Sequence, residues 1–331
     1  MTEPTRGASP TAEGSLVVDV PVPIGRDGIE ISSSDRVPRR AGFQRGWSRW
    51  TGYAFVLPAL AVFAAFVVVP LGQTFWLSFY NWDGLTARKW VGLANYRSLY
   101  TDPVLRSAFY HSALLVLFIS ILPVALGLLL AAALSVRRIR GMTFFRTVLF
   151  FPRVLPLVVV GVMWDWMYQP DGPINSALRA IGLGSVARAW LGDFRWALSA
   201  VGVIGTWFTY GFCMVLFIAG VQKIPMSLYD AAKVDGSGPV REFFAVTLPG
   251  LSNELVVAFT LTVIGALRTF DIIYVTTLGG PGIATDVPSL EIYHRAFEYN
   301  EVGSAAAVSV ALALIIFAVT ALILRRGDRA S

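Results

Sequence analysis

Long windows without a charged residue, each closed at both ends by a basic or acidic side chain, dominate this chain. A helix needs roughly 20 apolar residues to cross a hydrocarbon core, and six windows reach that length. They run from Tyr53 to Leu77, Ala108 to Leu134, Phe145 to Tyr168, Ala197 to Val221, Glu254 to Thr276 and Val302 to Leu324. Arg153 and Asp165 interrupt the third, and Arg268 and Asp271 interrupt the fifth. Residues 1–46 differ in kind: they are rich in Pro, Gly, Ser and Thr and hold too little apolar material to order themselves. They predict a disordered cytoplasmic tail, followed by an interfacial anchor at Phe43 to Trp50 that includes Trp47, Arg49 and Trp50. A cleavable signal peptide is not expected, because the preamble is long and no small-x-small site follows the apolar run. Residues 47–325 then form one transmembrane domain and 326–331 a second short tail.

Composition sharpens this reading into an all-α polytopic membrane protein. The 331 residues are 55% hydrophobic and 15% charged, with mean hydropathy +0.63. A soluble domain carries about 25% charged residues. Cys213 is the one cysteine, so no intramolecular disulfide exists, and the two histidines, His111 and His294, make no metal-ligand spacing. No metal site is expected. With the N-terminus inside, 17 Lys and Arg fall in inside segments and 8 in outside segments. This bias predicts both termini, and the polar segment 223–252, in the cytoplasm. The net charge of +6 is mostly that topology signal and asks for no nucleic-acid partner.

One hydrophilic stretch between the fourth and fifth spans, Leu228 to Leu251, has internal design. Tyr229 to Val234 is helix-forming, Asp235-Gly236-Ser237-Gly238-Pro239 is a sharp break, and Val240 to Leu248 is a second amphipathic run. A helix, a glycine elbow and a second helix would set Ala231 and Ala232 on a small, smooth surface suited to a partner's groove. On spacing alone an ordinary connecting loop stands equally well.

The stretch closely resembles the EAA loop of binding-protein-dependent ABC importer permeases. That pattern is Glu-Ala-Ala, three residues, Gly, nine residues, Ile, any residue, Leu-Pro. It falls on Asp230-Ala231-Ala232, Gly236, Val246 and Leu248-Pro249 with every gap the right length, Asp230 standing for Glu and Val246 for Ile. Ile224-Pro225 precedes it as in the family. Val91-Gly92-Leu93-Ala94-Asn95-Tyr96 with Asp102-Pro103 resembles the outside segment of sugar-type permeases. Arg140-Gly141, Phe144 to Thr147 and Pro152 resemble their turn into the third helix. Phe270 to Tyr274 and Thr277-Leu278-Gly279-Gly280-Pro281 resemble the maltose-type first permease.

The resemblance implies a six-helix type I importer permease in a bacterial-type cytoplasmic membrane, forming half of a sugar pore. It implies a second permease, two ABC ATPases docked on the EAA loop, and an extracytoplasmic binding protein met by the Gly279-Gly280-Pro281 loop. It also implies no cofactor of the chain's own, ATP being bound by the ATPases. The residues agree: a Walker A motif needs Gly-Lys, and Lys89, Lys223 and Lys233 follow Arg88, Gln222 and Ala232. The chain is therefore expected to be non-catalytic. An ion-coupled secondary transporter would put carboxylates deep in the spans. Spans one, two, four and six have none. A polytopic membrane enzyme would need a His, Asp or Cys cluster at the membrane surface, and none is visible.

Candidate solute contacts come from intramembrane charges and aromatics. Arg268 falls about 21 Å along the fifth helix from Glu254, with Asp271 one turn beyond on a similar face. They make either an i,i+3 ion pair that steadies the helix end or part of the solute path. Arg153, two turns inside Arg146, is expected to snorkel toward the cytoplasm. Trp207, Phe208 and Tyr210 either stack on sugar rings or pack between helices. The small-residue runs Gly202 to Gly205 and Ser304 to Ala307 predict close helix contacts.

Overall fold

Four of the six windows fold as single long helices in the computed structural model, which describes residues 49–135 and 141–327. The predicted tail, most of the anchor, Arg137, Arg138 and Arg140 of the basic count, and residues 328–331 lie outside the described residues. The chain divides into two compact units, residues 1–60 and 61–331. In the first, the described residues open a helix, Arg49–Phe63, whose side chains Tyr53, Phe55 and Leu57 are exposed.

The long helices are α1 (Tyr53–Leu77), α3 (Pro103–Leu134), α7 (Ala197–Val221) and α13 (Val302–Gly327). Between α1 and α3 lie a short antiparallel pair, β1 (Tyr80–Asn81) and β2 (Lys89–Trp90), and the helix α2 (Ala94–Thr101). The second span starts at Pro103 rather than Ala108. The Asp102 carboxylate caps it by accepting from Val104 N at 2.9 Å, and Pro103 occupies the first helical position.

Proline shapes these helices in a repeated way. Wide π turns at Ala64–Val68, Leu117–Ile121 and Phe243–Thr247 each end two residues before a proline, namely Pro70, Pro123 and Pro249. Proline has no N–H to give the carbonyl four residues back, and its ring crowds that carbonyl; the wider turn relieves both.

The third window breaks. α4 (Met142–Phe150) tightens into the 3₁₀ turn Phe151–Val154, and the stretch Leu157–Ala180, which opens with α5 (Leu157–Tyr168), departs from Met142–Val154 at 97°. The expected continuous helix from Phe145 to Tyr168 fails because Pro156 forces Leu155 into an extended conformation, ψ 142°. A short α6 (Pro173–Ala180) follows. After α7 come α8 (Met226–Val234) and α9 (Pro239–Gly250), then α10 (Ser252–Leu267), bent 70° from α9. The fifth window also stops short of Thr276: α10 ends at Leu267, and the chain re-forms a helix only at α11 (Asp271–Thr276). No proline or glycine marks that break; Phe270 is turned onto Tyr274 and Tyr293, ring centroids 5.1 and 5.8 Å away. α12 (Pro288–Tyr293), extended by the wide turn His294–Glu298, lies outside every sequence-predicted span. Counting each bent pair as one span gives six crossings.

α7 is the hub of the second unit. One end packs with α3, α5 and α11 through Ile119, Trp164, Ile204 and Ile273, and the other with α3 and α10 through Val124, Phe217, Leu251 and Ala258. Small residues let it close in: Gly202 lies against Phe118 and Gly205 against Ile119, while Gly127 of α3 lies against Cys213. Ala305, Ala306 and Ala307 of α13 are likewise buried.

Candidate functional site

Three constructions outside the helix cores carry the sequence-predicted site residues. The first is the α8–α9 hairpin. Asp235 caps α8, and Gly236 turns the chain with φ +75°, a conformation only glycine adopts without strain. Gly236 N donates to Lys233 O at 3.0 Å and Ser237 N to Ala232 O at 2.9 Å, the paired bonds of a Schellman turn. Pro239 then starts α9 at its first position. Tyr229 and Thr247 hydroxyls, 3.2 Å apart, join the two arms, and Lys223 Nζ donates to Glu254 Oε1 at 2.9 Å at the base.

Ala231 is exposed, but Ala232 is buried at 9%, so the two do not form one presented surface. Adjacent helical residues stand about 100° apart, and one of the pair must face inward. Asp230 is exposed and meets only Lys233, at 3.8 Å. Val246 and Leu248 are half-buried and Pro249 is exposed. The outer faces carry Met226, Val234, Val240 and Phe244, all exposed.

The second construction is a cavity of about 400 Å³ where the broken spans meet α3 and α7. Arg153, Phe208, Phe212, Arg268, Phe270 and Asp271 are among its lining residues. Arg153 does not snorkel away: its guanidinium carbon lies 4.7 Å from the Phe208 ring centre and 5.4 Å from that of Phe212. The expected Arg268–Asp271 ion pair is not among the ion pairs of the described residues. Its premise was a continuous helix, and the break after Leu267 removes the shared face. Both residues are exposed and line the same cavity. Trp207 and Tyr210 are not among the lining residues; Trp207 packs edge-on against Trp164 at 5.5 Å. Phe208, Phe212 and Phe270 were not singled out by sequence as a set. The signal available was Arg153, a charge lodged between two prolines.

The third construction follows α11. Gly279, φ +85°, turns the loop Thr277–Pro281, which Thr285 holds by donating from Oγ1 to Gly280 O at 2.8 Å and from its backbone N to Gly279 O at 3.0 Å. Beneath it Arg295 gathers two nearby acids and one distant one: Glu291 Oε2 at 3.0 Å, Glu301 Oε2 at 3.5 Å and Asp102 Oδ2 at 2.5 Å, with Ser304 Oγ at 2.8 Å. Burial opposes the Arg295 charge, but the Asp102 and Glu291 bonds outweigh it and hold its pKa above the ordinary value. Asp286 is 3% exposed. Burial, and then the neighbouring Glu291 carboxyl, push it up to about 8. Asp286, Glu291 and His294 bring ligand-type atoms within 4.8 Å of one another, yet Glu291 already serves Arg295. The cluster is an ion-pair network. Sequence reasoning missed it, because Asp102, which ties the group to α3, lies 193 residues from Arg295.

Comparison with known proteins places these constructions in context. The family model described as "Binding-protein-dependent transport system inner membrane component" matches residues 123–327. The chain is 37% identical over 271 residues to the probable ABC transporter permease protein YurN of Bacillus subtilis, covering 81% of this chain and 92% of that one. It is 34% identical over 284 residues to the diacetylchitobiose uptake system permease protein NgcF of Streptomyces coelicolor, covering 82% and 80%. Its fold matches a chain of a bacterial alginate ABC transporter solved with an alginate pentasaccharide-bound periplasmic protein. The TM-score is 0.72 at 21% identity, over 85% of this chain and 94% of that one.

Proposed function

The chain belongs to the family of binding-protein-dependent transport system inner membrane components, and from that premise we propose that it forms half of the pore of an ATP-driven sugar importer. A second permease supplies the other half, two cytoplasmic ABC ATPases bind and hydrolyse ATP, and an extracytoplasmic binding protein delivers solute. The chain itself is a non-catalytic membrane subunit, so the ion-coupled and enzymatic alternatives fall away. Diacetylchitobiose and alginate, the solutes named for two of its likenesses, are saccharides, which supports a sugar here.

The observation that carries the coupling role is the α8–α9 hairpin. It is a folded two-helix element outside the long spans, with Met226, Val234, Val240 and Phe244 exposed on it. Apolar exposure of this kind marks a partner surface. Asp230, Ala231 and Gly236 form the docking edge, with Val246, Leu248 and Pro249 behind it and Ala232 packed inward. α8 follows α7 after Gln222–Pro225, and the Lys223–Glu254 pair ties the same root to α10. A partner that moves the hairpin therefore moves the hub and the helix whose end lines the cavity, a rigid-body route from ATPase closure to the solute path. The Thr277–Pro281 loop meets the binding protein. The Lys and Arg bias of the sequence supports a cytoplasmic position for both termini and the hairpin.

The test is Gly236→Val. A β-branched residue at positive φ is strained by about 1–3 kcal/mol. Membrane levels should hold, while the co-purifying ATPase and solute uptake are lost. Retention of both would reduce the hairpin to a plain connector.

A further inference from the structure

A guanidinium within a membrane span is costly and usually faces protein partners or a water-filled space. The cavity between the broken spans is lined by two, Arg153 and Arg268. Neither has a carboxylate within ion-pairing distance among the described residues, where every ion pair involves other side chains. Arg153 rests on the faces of Phe208 and Phe212, which favours its charge but gives its N–H donors no acceptor. Leu157, the first residue of α5, lines the same space, so the positive end of that helix adds to the field there. Asp271 is the one acid in the lining.

Two unpaired cations, aromatic faces and a single carboxylate make a specific chemical demand. The planar guanidinium fork matches a carboxylate, sulfonate or phosphate with paired hydrogen bonds. The Phe208, Phe212 and Phe270 rings offer surface to the apolar face of a pyranose, and Asp271 can accept from hydroxyl groups. A neutral sugar would leave the two guanidiniums facing a single lining acid, Asp271. The volume of about 400 Å³ lies toward the lower end of ligand pockets and suits a small saccharide.

Resting on the importer reading above, we propose that the solute is a small saccharide bearing an anionic group, held by Arg153 and Arg268 with its ring against Phe208 and Phe212.

The experiment uses the assembled transporter, with its partner permease, ATPases and binding protein, in proteoliposomes. Uptake of labelled glucuronate, glucose 6-phosphate and a 6-sulfonated glucose is compared with that of glucose and maltose. An anionic probe should enter faster than its neutral counterpart, and the arm that succeeds identifies the anionic group. Arg153→Gln and Arg268→Gln should each slow that uptake by about 10–100-fold, the loss expected for one charge-assisted hydrogen bond. Arg153→Lys and Arg268→Lys should retain more of it at equal protein levels. Faster uptake of neutral sugars, or wild-type anion uptake in both glutamine variants, overturns the proposal and leaves the importer standing. Uptake of none of the probes, with no ATP hydrolysis stimulated by the loaded binding protein, overturns both.

Discussion

The α8–α9 hairpin and the Arg295 cluster are both polar constructions outside the long spans, and they are held together in opposite ways. The hairpin closes on itself: its turn is made by backbone bonds among Ala232, Lys233, Gly236 and Ser237. Its charges stay in water, the Asp230 and Lys233 side chains being 67% and 57% exposed. The cluster joins residues 193 apart, Asp102 and Arg295, and its Glu291 side chain is only 4% exposed. The hairpin leaves its charges and apolar tips exposed. The cluster consumes its charges internally and clamps α3, α12 and α13 to one another. Charge density alone does not tell a docking surface from a clamp; the sequence distance between partners, and their burial, does.

That contrast breaks most readily at Arg295. Arg295→Met keeps much of the aliphatic stem but strands Glu291 as a buried, unpaired acid, at a cost of about 3–5 kcal/mol. The purified protein in detergent should unfold at a clearly lower temperature than wild type. An unchanged temperature would mean that the cluster is solvated and clamps nothing.

A second, smaller effect is set by pH. The folded-state value of Asp286, about 8, lies above its ordinary 3.8, so the folded protein holds that proton more tightly than the unfolded chain. Stability from this group is full below the ordinary value and is lost as pH rises toward 8. The unfolding temperature should therefore fall between about pH 5 and about pH 8, and Asp286→Asn should flatten the slope. A wild-type slope in that variant would assign the dependence elsewhere.

The smallest change is expected in the hairpin, where Asp230→Ala removes an exposed pair worth no more than about 1 kcal/mol. Thermal stability should barely move. ATPase retention should fall, but less than in Gly236→Val. A large stability loss would show that the hairpin is a clamp too, and the contrast would collapse.

How much of this was legible in the sequence follows the same division. The end of span one at Leu77 and both ends of span four, Ala197–Val221, agree residue for residue with the uncharged windows, because length and apolarity are local properties. The hairpin elbow was legible for the same reason, Gly236 and Pro239 being positional signals. The break at Leu155–Pro156 was present as two prolines but was hidden by counting charges instead of backbone donors. The break after Leu267 had no local signal, since rings from α11 and α12 fix it. The cavity was illegible as a unit: Ile119, Arg153, Phe208 and Arg268 meet only once four segments have packed.

The wide turns two residues ahead of Pro70, Pro123 and Pro249 have an effect on register. A π turn takes one extra residue into the helix without ending it, so everything beyond it is rotated by about 100° relative to an uninterrupted spiral. α3 shows the result: Leu105, Ala108, Ser112 and Leu115 form its buried row before Leu117–Ile121, and Val124 and Ala131 form another after it. Such a helix keeps two clocks. Each half can be set to its own neighbours, and a single span can mesh at both ends with partners that would otherwise demand incompatible phases.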